Sequence, residues 1–339
     1  MRFQPAVRTF ISLMSLVLLT GCGLFAGATP TSTPTETPTP IPTLTPTPVI
    51  PLAILVVPAD MDQETSSLYQ KTVYDLTQQS GYRFQVRNAL SPADLEAGLK
   101  VVIAFPPDPG LVSLAAAAPQ AQFLAVNIPG MAAGGNLSVL ADTARPDLQA
   151  FLAGYIGAMI TDDYHIGMII PKDNPEAQKA LAAYANGMTY FCGLCNPFFY
   201  LNYRFPQYLE IPAGEDPNKY GAYVNILSGQ LHVDMFYVHP DLATPELLTY
   251  IANSGLWQIG LSTPEQPLAG WVATIQPDVV SAIQSAWPEL IAGKGGVEVV
   301  SPLSLKDVNP GLLSPGKQRL AEEVLQDLLA GYIDPGAQR

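Results

Sequence analysis

The chain has 339 residues, 48% of them hydrophobic and 13% charged, which is enough for two lobes of ordinary domain size and too apolar for disorder throughout. Its 16 Lys plus Arg against 29 Asp plus Glu give a net charge of −13, which argues against a phosphate backbone as partner because no basic surface is supplied. The 33 Pro and 27 Gly predict many turns and short loops, and 3 Cys are too few for a disulfide scaffold.

Arg2 and Arg8 precede an apolar run over residues 10–19 that ends in Leu19-Thr20-Gly21-Cys22. A positive start, an apolar stretch and small residues before a cut read as a secretory signal over residues 1–21, too short for a transmembrane helix. Its last four residues resemble the lipobox of bacterial lipoproteins, which implies that Cys22 is the lipid-modified first residue of a mature protein held outside the cytoplasm on the cell membrane. The competing reading is an ordinary signal peptide cut elsewhere, with Cys22 buried. One acyl chain holds a protein only marginally, so a stable anchor rests on the several chains that the resemblance implies. Loss of Arg2 and Arg8 with the signal moves the net charge from −13 to −15.

Residues 22–51 form a tether. From Ala28 to Pro51 the chain is almost only Thr and Pro, so it has no apolar area to bury and is expected as extended polyproline II. At ~3.1 Å per residue it reaches roughly 70 Å, enough to hold a folded body clear of a lipid surface. A spacer is the expected role; a Pro-rich ligand for another protein is the alternative.

From residue 52 the pattern alternates. Residues 52–57 read as a strand and 63–79 as a helix with Leu68, Val73 and Leu76 on its buried face. Strands follow at 82–86 and 101–105 with a short helix at 92–99 between them, then a helix at 111–118 and strands at 122–127 and 137–140. A long helix at 146–160 leads to a strand at 166–170, where the alternation begins again: a helix at 175–188, an irregular aromatic segment at 190–208, a helix at 218–228, a strand at 235–238, a helix at 245–254 and a strand at 256–260. Residues 271–275 read as a short strand of the first lobe, followed by helices at 277–292 and 315–329. The expected fold is α/β, two doubly wound parallel-sheet lobes joined by a hinge, with the first lobe at 52–143 and about 262–276 and the second at 144–261 and about 277–339. Ligands of such sheets bind where strand ends face one another.

The stretch Phe151-Leu152-Ala153-Gly154-Tyr155-Ile156-Gly157-Ala158-Met159, followed by His165-Ile166-Gly167-Met168-Ile169-Ile170, resembles a signature of the basic membrane protein family of lipoproteins. The resemblance spans the order of elements from Leu52 to Tyr332, closing with Ala330-Gly331-Tyr332. It implies the type I periplasmic-binding fold, the role of substrate-binding protein of an ABC importer with a permease as partner, and no cofactor. An unrelated helix could carry the same small residues for tight packing alone.

Two departures bear on the ligand. Where family members resembling nucleoside binders carry an Asp-x-Ser-Phe-Asn type stretch, this chain has Asp60-Met61-Asp62-Gln63-Glu64-Thr65-Ser66-Ser67, which keeps the acid and lacks the aromatic. Where the family often shows Gly-x-Asp-x-Asp, Gly260 is followed by Leu261-Ser262-Thr263-Pro264-Glu265. Nucleoside specificity is therefore not carried across. The candidate ligand-binding residues are chosen by position at strand ends: Asp60, Asp62, Ser66, Ser67, Phe105 and Asn127 in the first lobe, with Tyr237, His239, Gln258 and Ser262 facing them. They combine hydrogen-bonding groups with a flat apolar wall, as a small polar solute, nucleoside-like or sugar-like, requires. Asp60 and Asp62 also fit plain helix N-terminal charge, and Phe105 and Tyr237 also fit a core.

Cys192-Gly193-Leu194-Cys195 follows a helix that is expected to end near Met188, so the dipole does not favour a thiolate there. A local disulfide is the expected state outside the cytoplasm. With only His165, His232 and His239 in the chain no metal spacing is apparent. The chain has no Gly-x-Ser-x-Gly elbow, and Gly293-Lys294-Gly295-Gly296 lacks the strand a phosphate loop needs, so no catalytic residue is expected. The resulting expectation is a monomeric, lipid-anchored, extracytoplasmic solute-binding protein of an ABC importer. The alternative is a receptor of the same fold that signals to a membrane kinase or other sensor.

Overall fold

The computed structural model describes residues 49–141, 145–193 and 204–336. Residues 1–48, with the signal, Cys22 and most of the tether, lie outside them, as does Cys195.

In chain order the elements are β1 (Leu52–Val56), α1 (Gln63–Ser80), β2 (Arg83–Arg87), β3 (Leu99–Ala104), α2 (Leu111–Ala117), β4 (Gln122–Val126), β5 (Leu137–Ala141), α3 (Pro146–Ile160), β6 (Ile166–Pro171), α4 (Pro175–Cys192), β7 (Gln207–Ile211), α5 (Tyr220–Leu231), β8 (Met235–Val238), α6 (Pro245–Asn253), β9 (Trp257–Gly260), β10 (Trp271–Pro277), α7 (Val279–Ile291), β11 (Glu298–Val300), β12 (Leu303–Lys306) and α8 (Pro315–Leu329). They build two six-stranded sheets, ordered β11-β5-β4-β3-β1-β2 and β12-β10-β9-β8-β6-β7. Every pairing is parallel except that of β12 with β10. Central strands such as β1 and β4 are buried along their whole length, as the strands of parallel sheets covered on both faces must be.

Each sheet has its own core. On the first, α2 covers one face and α1 with α7 the other; on the second, α3, α4 and α8 pack opposite α5 and α6. Beyond isolated contacts, no described helix or strand of one half packs on an element of the other. The lobes are joined by three crossings, after β5, after β10 and after β11. All three leave the carboxyl-terminal edge of one sheet and meet the same edge of the other, because β5, β10 and β11 run parallel to their sheets. The carboxyl-terminal edges of the two sheets therefore face each other.

Several expectations are corrected here. Residues Trp271–Pro277 belong to the second sheet, paired parallel with β9, while α7 packs on the first. The chain thus exchanges these two elements between the expected lobes: an apolar run suits either core, and pairing alone assigns it. Residues 92–99 form only a 3-10 turn at Pro92–Asp94 before β3 begins. A strand, β7, lies at the end of the expected irregular segment, and β11 and β12 were not legible. On α1 the buried face runs through Thr72, Val73 and Thr77, whereas Leu68 is 51% exposed. Leu68 falls about 130° from the centre of that stripe.

The residues that carry the family resemblance are packing residues. A Cβ on Gly154 of α3 would overlap the carbonyl of Tyr184 on α4, and one on Gly187 of α4 would overlap the carbonyl of Phe151 on α3. Two glycines thus let the helix backbones touch reciprocally. Gly157 clears the Met235 side chain in the same way. Gly154→Ala and Gly187→Ala are each expected to lower the unfolding free energy by about 1–3 kcal/mol as overpacking does, despite the ~1 kcal/mol helix propensity that Ala adds. Gly229→Ala on α5, where a Cβ meets nothing within 4 Å, should stabilise by about 0.5–1 kcal/mol. Urea melts of the three variants check the contrast.

Candidate functional site

The facing edges are lined by residues at strand ends and crossings. After β3, Phe105 is buried and its ring stacks on Tyr69 of α1, with centroids 4.4 Å apart and planes at 23°. After β4, Asn127 takes a left-handed φ of 52° and its buried Oδ1 has no hydrogen-bond partner among the described residues. Asn is among the few residues that accept that backbone region readily. On the second lobe, His239 follows β8, is 7% exposed, and accepts a hydrogen bond at Nδ1 from the Asp241 amide at 3.3 Å. Burial lowers its pKa, with the Asp241 carboxylate opposing. Accepting at Nδ1 requires the neutral ring.

The second crossing contributes a carboxylate that strand-end reasoning missed. Asp278 caps α7: its Oδ1 accepts from the Ser281 amide at 3.2 Å and its Oδ2 from the Ser281 hydroxyl at 2.9 Å. Lys306 of β12 approaches the same carboxylate at 3.4 Å, and the Asp278 amide donates to Pro302 at 2.7 Å, tying the second crossing to the third. Burial alone would raise this carboxyl; the Ser281 hydroxyl and amide and the Lys306 ammonium outweigh it and hold the group below its ordinary value. Asp278 also reaches the first lobe electrostatically. Burial first, and this carboxylate second, raise the Tyr69 phenol. On the third crossing, the Ser301 hydroxyl oxygen is buried, and so is that of Ser304 inside β12; neither has a hydrogen-bond partner among the described residues. The signal for Asp278 was present as Pro277-Asp278 ahead of a helical apolar pattern, an N-cap by type; that it stands at a crossing depended on the pairing of β10.

The other expected residues are placed as follows. Asp60 lies exposed on the turn between β1 and α1. Asp62 is the N-cap of α1, accepting from the amides of Glu64 at 3.3 Å and Thr65 at 2.7 Å, and the Thr65 hydrogen bonds chiefly lower its pKa. The Ser66 hydroxyl accepts from Gln70 one turn on, and Ser67 is exposed on α1. Two expectations are corrected. Tyr237 is fully buried and stacks on Tyr184, with centroids 5.7 Å apart; Gln258 is 1% exposed and its amide donates to the Leu248 carbonyl at 2.9 Å. Both side chains point into the layers flanking their sheet, since a residue inside a four-residue strand is covered by helices rather than open at the strand end. Ser262 lines a cavity on the flank of the second lobe beside α6.

Cys192 is disulfide-bonded and is the last residue of α4, which runs past Met188; the expected partner, Cys195, is not described. Among the described residues no group of three or more His, Cys, Asp or Glu is placed to hold a metal ion, and no helix is long and apolar enough to cross a membrane. What the edges present is a set of hydrogen-bonding groups and, beside an aromatic pair, the carboxylate of Asp278. Such a set can hold a polar solute.

No protein-family model matches the chain, and no curated protein matches it. Among solved structures, a transcriptional activator of the comK gene from Bacillus halodurans superposes with a TM-score of 0.50 at 12% identity, over 84% of this chain and 99% of that one. An ABC transporter solute-binding protein from Aeropyrum pernix gives 0.43 at 15% identity, over 85% and 93%. A LacI-family regulator from Enterococcus faecium with bound ribose gives 0.37 at 14%, over 76% and 97%. The fold this chain shares with the first of these is that of two doubly wound, mostly parallel α/β sheets.

Because its folded pKa is depressed, Asp278 contributes stability that is fully present above about pH 5 and lost as pH falls through the folded value. Asp278→Asn is therefore expected to lower stability at pH 7 and to flatten the acid limb. Chemical melts of both proteins at pH 7, 5, 4 and 3 should converge towards the acid end.

Proposed function

We propose that this protein is an extracytoplasmic solute-binding protein, anchored to the cell membrane by lipid on Cys22, that captures a small polar solute between its lobes and delivers it to an ABC permease. The observation that carries this reading is the pairing of two independent cores through three crossings, with the carboxyl-terminal sheet edges facing each other. A solute that touches both edges favours the closed arrangement by its differential contacts, which shifts an open–closed population. Asn127 Oδ1 and the Ser301 hydroxyl lack hydrogen-bond partners among the described residues, and a polar solute offers them. Asp278 supplies a fixed acceptor, and Phe105 with Tyr69 a flat wall.

The lipobox-like Leu19-Thr20-Gly21-Cys22 and the Thr/Pro tether support the anchored, extracytoplasmic placement. Membership of the basic membrane protein family is part of the same proposal; its signature here coincides with the α3–α4 packing, so it speaks for the fold more than for a ligand. The solute class we put forward is nucleoside-like or sugar-like, and the chemistry is binding without turnover.

Calorimetric titration of nucleosides, nucleobases, pentoses and hexoses is expected to find one solute that binds at a single site and shrinks the radius of gyration in X-ray scattering. Asp278→Asn and Asn127→Ala should weaken that binding by about 10- to 100-fold, the range for losing a hydrogen bond to a charged or buried group. Metabolic labelling with palmitate should mark the protein and fail on Cys22→Ala. Silence across the panel, or binding that leaves the scattering unchanged, overturns the clamp. Binding with normal uptake in a deletion strain transfers the role to sensing.

A further inference from the structure

The second sheet is left incomplete on one flank. Its first three crossovers each carry a helix, α4, α5 and α6, but residues 261–270 join β9 to β10 without one. Parallel neighbours must be joined by a connection that runs back over the sheet, and a helix normally fills that space. Here the loop runs alone. Pro264 and Pro267 stiffen it, and Asp307, itself at a left-handed φ of 50°, pins it by accepting from the hydroxyls of Thr263 and Thr274, each at 2.7 Å. Trp271 donates from Nε1 to the same Thr274 at 3.1 Å, and its ring lies where a Cβ on Gly260 would stand.

Beside this fixed loop, against α6, is a cavity of about 690 Å³, within the roughly 300–1,000 Å³ typical of small-molecule sites. A second, of about 280 Å³, lies against the same Pro264 and Pro267, with Trp271 and Asp307 in its wall. Leu248, Ala252 and the two prolines give the larger cavity an aliphatic strip, set among polar groups that include Thr249, Asn253, Ser262 and Gln266. The charge in this region has one sign. No Lys or Arg occurs between Lys219 and Lys294, and among the described residues lining the two cavities the charged ones are Glu265 and Asp307.

We propose that this flank is a second binding site, separate from the facing edges, for a small organic cation: an ammonium group on a short aliphatic body. The body lies along Leu248, Ala252 and the prolines, where water is displaced from apolar wall, and the ammonium faces Glu265. An anion meets carboxylates with no compensating cation, and a neutral body forgoes the ion pair.

The test uses three probes of one length and three charges, hexylammonium, hexan-1-ol and hexanoate, titrated into the full chain by calorimetry with Trp271 fluorescence as a local readout. Hexylammonium is expected to saturate one site about fivefold tighter than the alcohol, the upper end of an exposed ion pair, and hexanoate not to saturate. Glu265→Gln should bring the ammonium to the alcohol's affinity. Thr249→Phe, made on the exposed side of α6 facing the cavity, should abolish binding of both, with unchanged thermal melting showing that the variants are folded. Equal affinity for the three probes, no saturation by any, or hexylammonium binding that survives both substitutions overturns the proposal; the last result moves the amine to another part of the protein. Should Thr249→Phe fail to fold, the Glu265→Gln comparison alone decides, because that side chain is exposed.

Discussion

The reciprocal contact of α3 and α4 through Gly154 and Gly187 is the constraint on which the second lobe rests. Two helices whose backbones touch sit closer than the 8–10 Å that side chains normally impose. α3 then ties outward at both ends. Gln149 near its start donates to the Ile275 carbonyl of β10 at 3.0 Å, and Lys317 of α8 donates to the Met159 carbonyl near its end at 2.9 Å. Because α3 is also the first element after the first crossing, its position sets where β10 runs and thus where the second crossing returns.

At the crossings the structure trades apolar packing for polar ties. Among the described residues the two lobes bury separate cores, and at the second and third crossings the ties are the polar ones of Asp278, Ser281, Pro302 and Lys306. Hydrogen-bonded charge at a partly exposed joint gives direction with little adhesion, since an exposed ion pair is worth only about 0–1 kcal/mol. Such a joint holds two bodies in register while leaving their relative angle to be decided by what lies between them.

The segment that carries the strongest family resemblance has a complete physical explanation in packing. Gly154, Gly157 and Gly187 are required by backbone approach and by Met235, not by a ligand, and none stands at a facing edge. A resemblance built on such residues reports how two helices meet. The groups that could distinguish one solute from another, Asn127, Asp278 and Ser301, lie at turns and crossings, where the type of residue is set by each chain's own use.

Local pattern alone determined much. Continuous apolar runs marked the buried parallel strands; α3 and α8 matched their helical periodicity and proline starts to the residue; the alternation of the two predicted two doubly wound sheets. Asp62 announced a helix N-terminus by its type, and so became a cap. Tertiary structure decided the rest because pairing is a property of two segments at once. The run Trp271–Pro277 is equally apolar for either core and became a strand of the second sheet only through its register with β9. β11 is three residues long and β12 four, too short for a period to appear. Tyr237 and Gln258 sit one or two residues inside strand ends, and that small offset, invisible in a sequence, separates a residue covered by helices from one that faces across the seam.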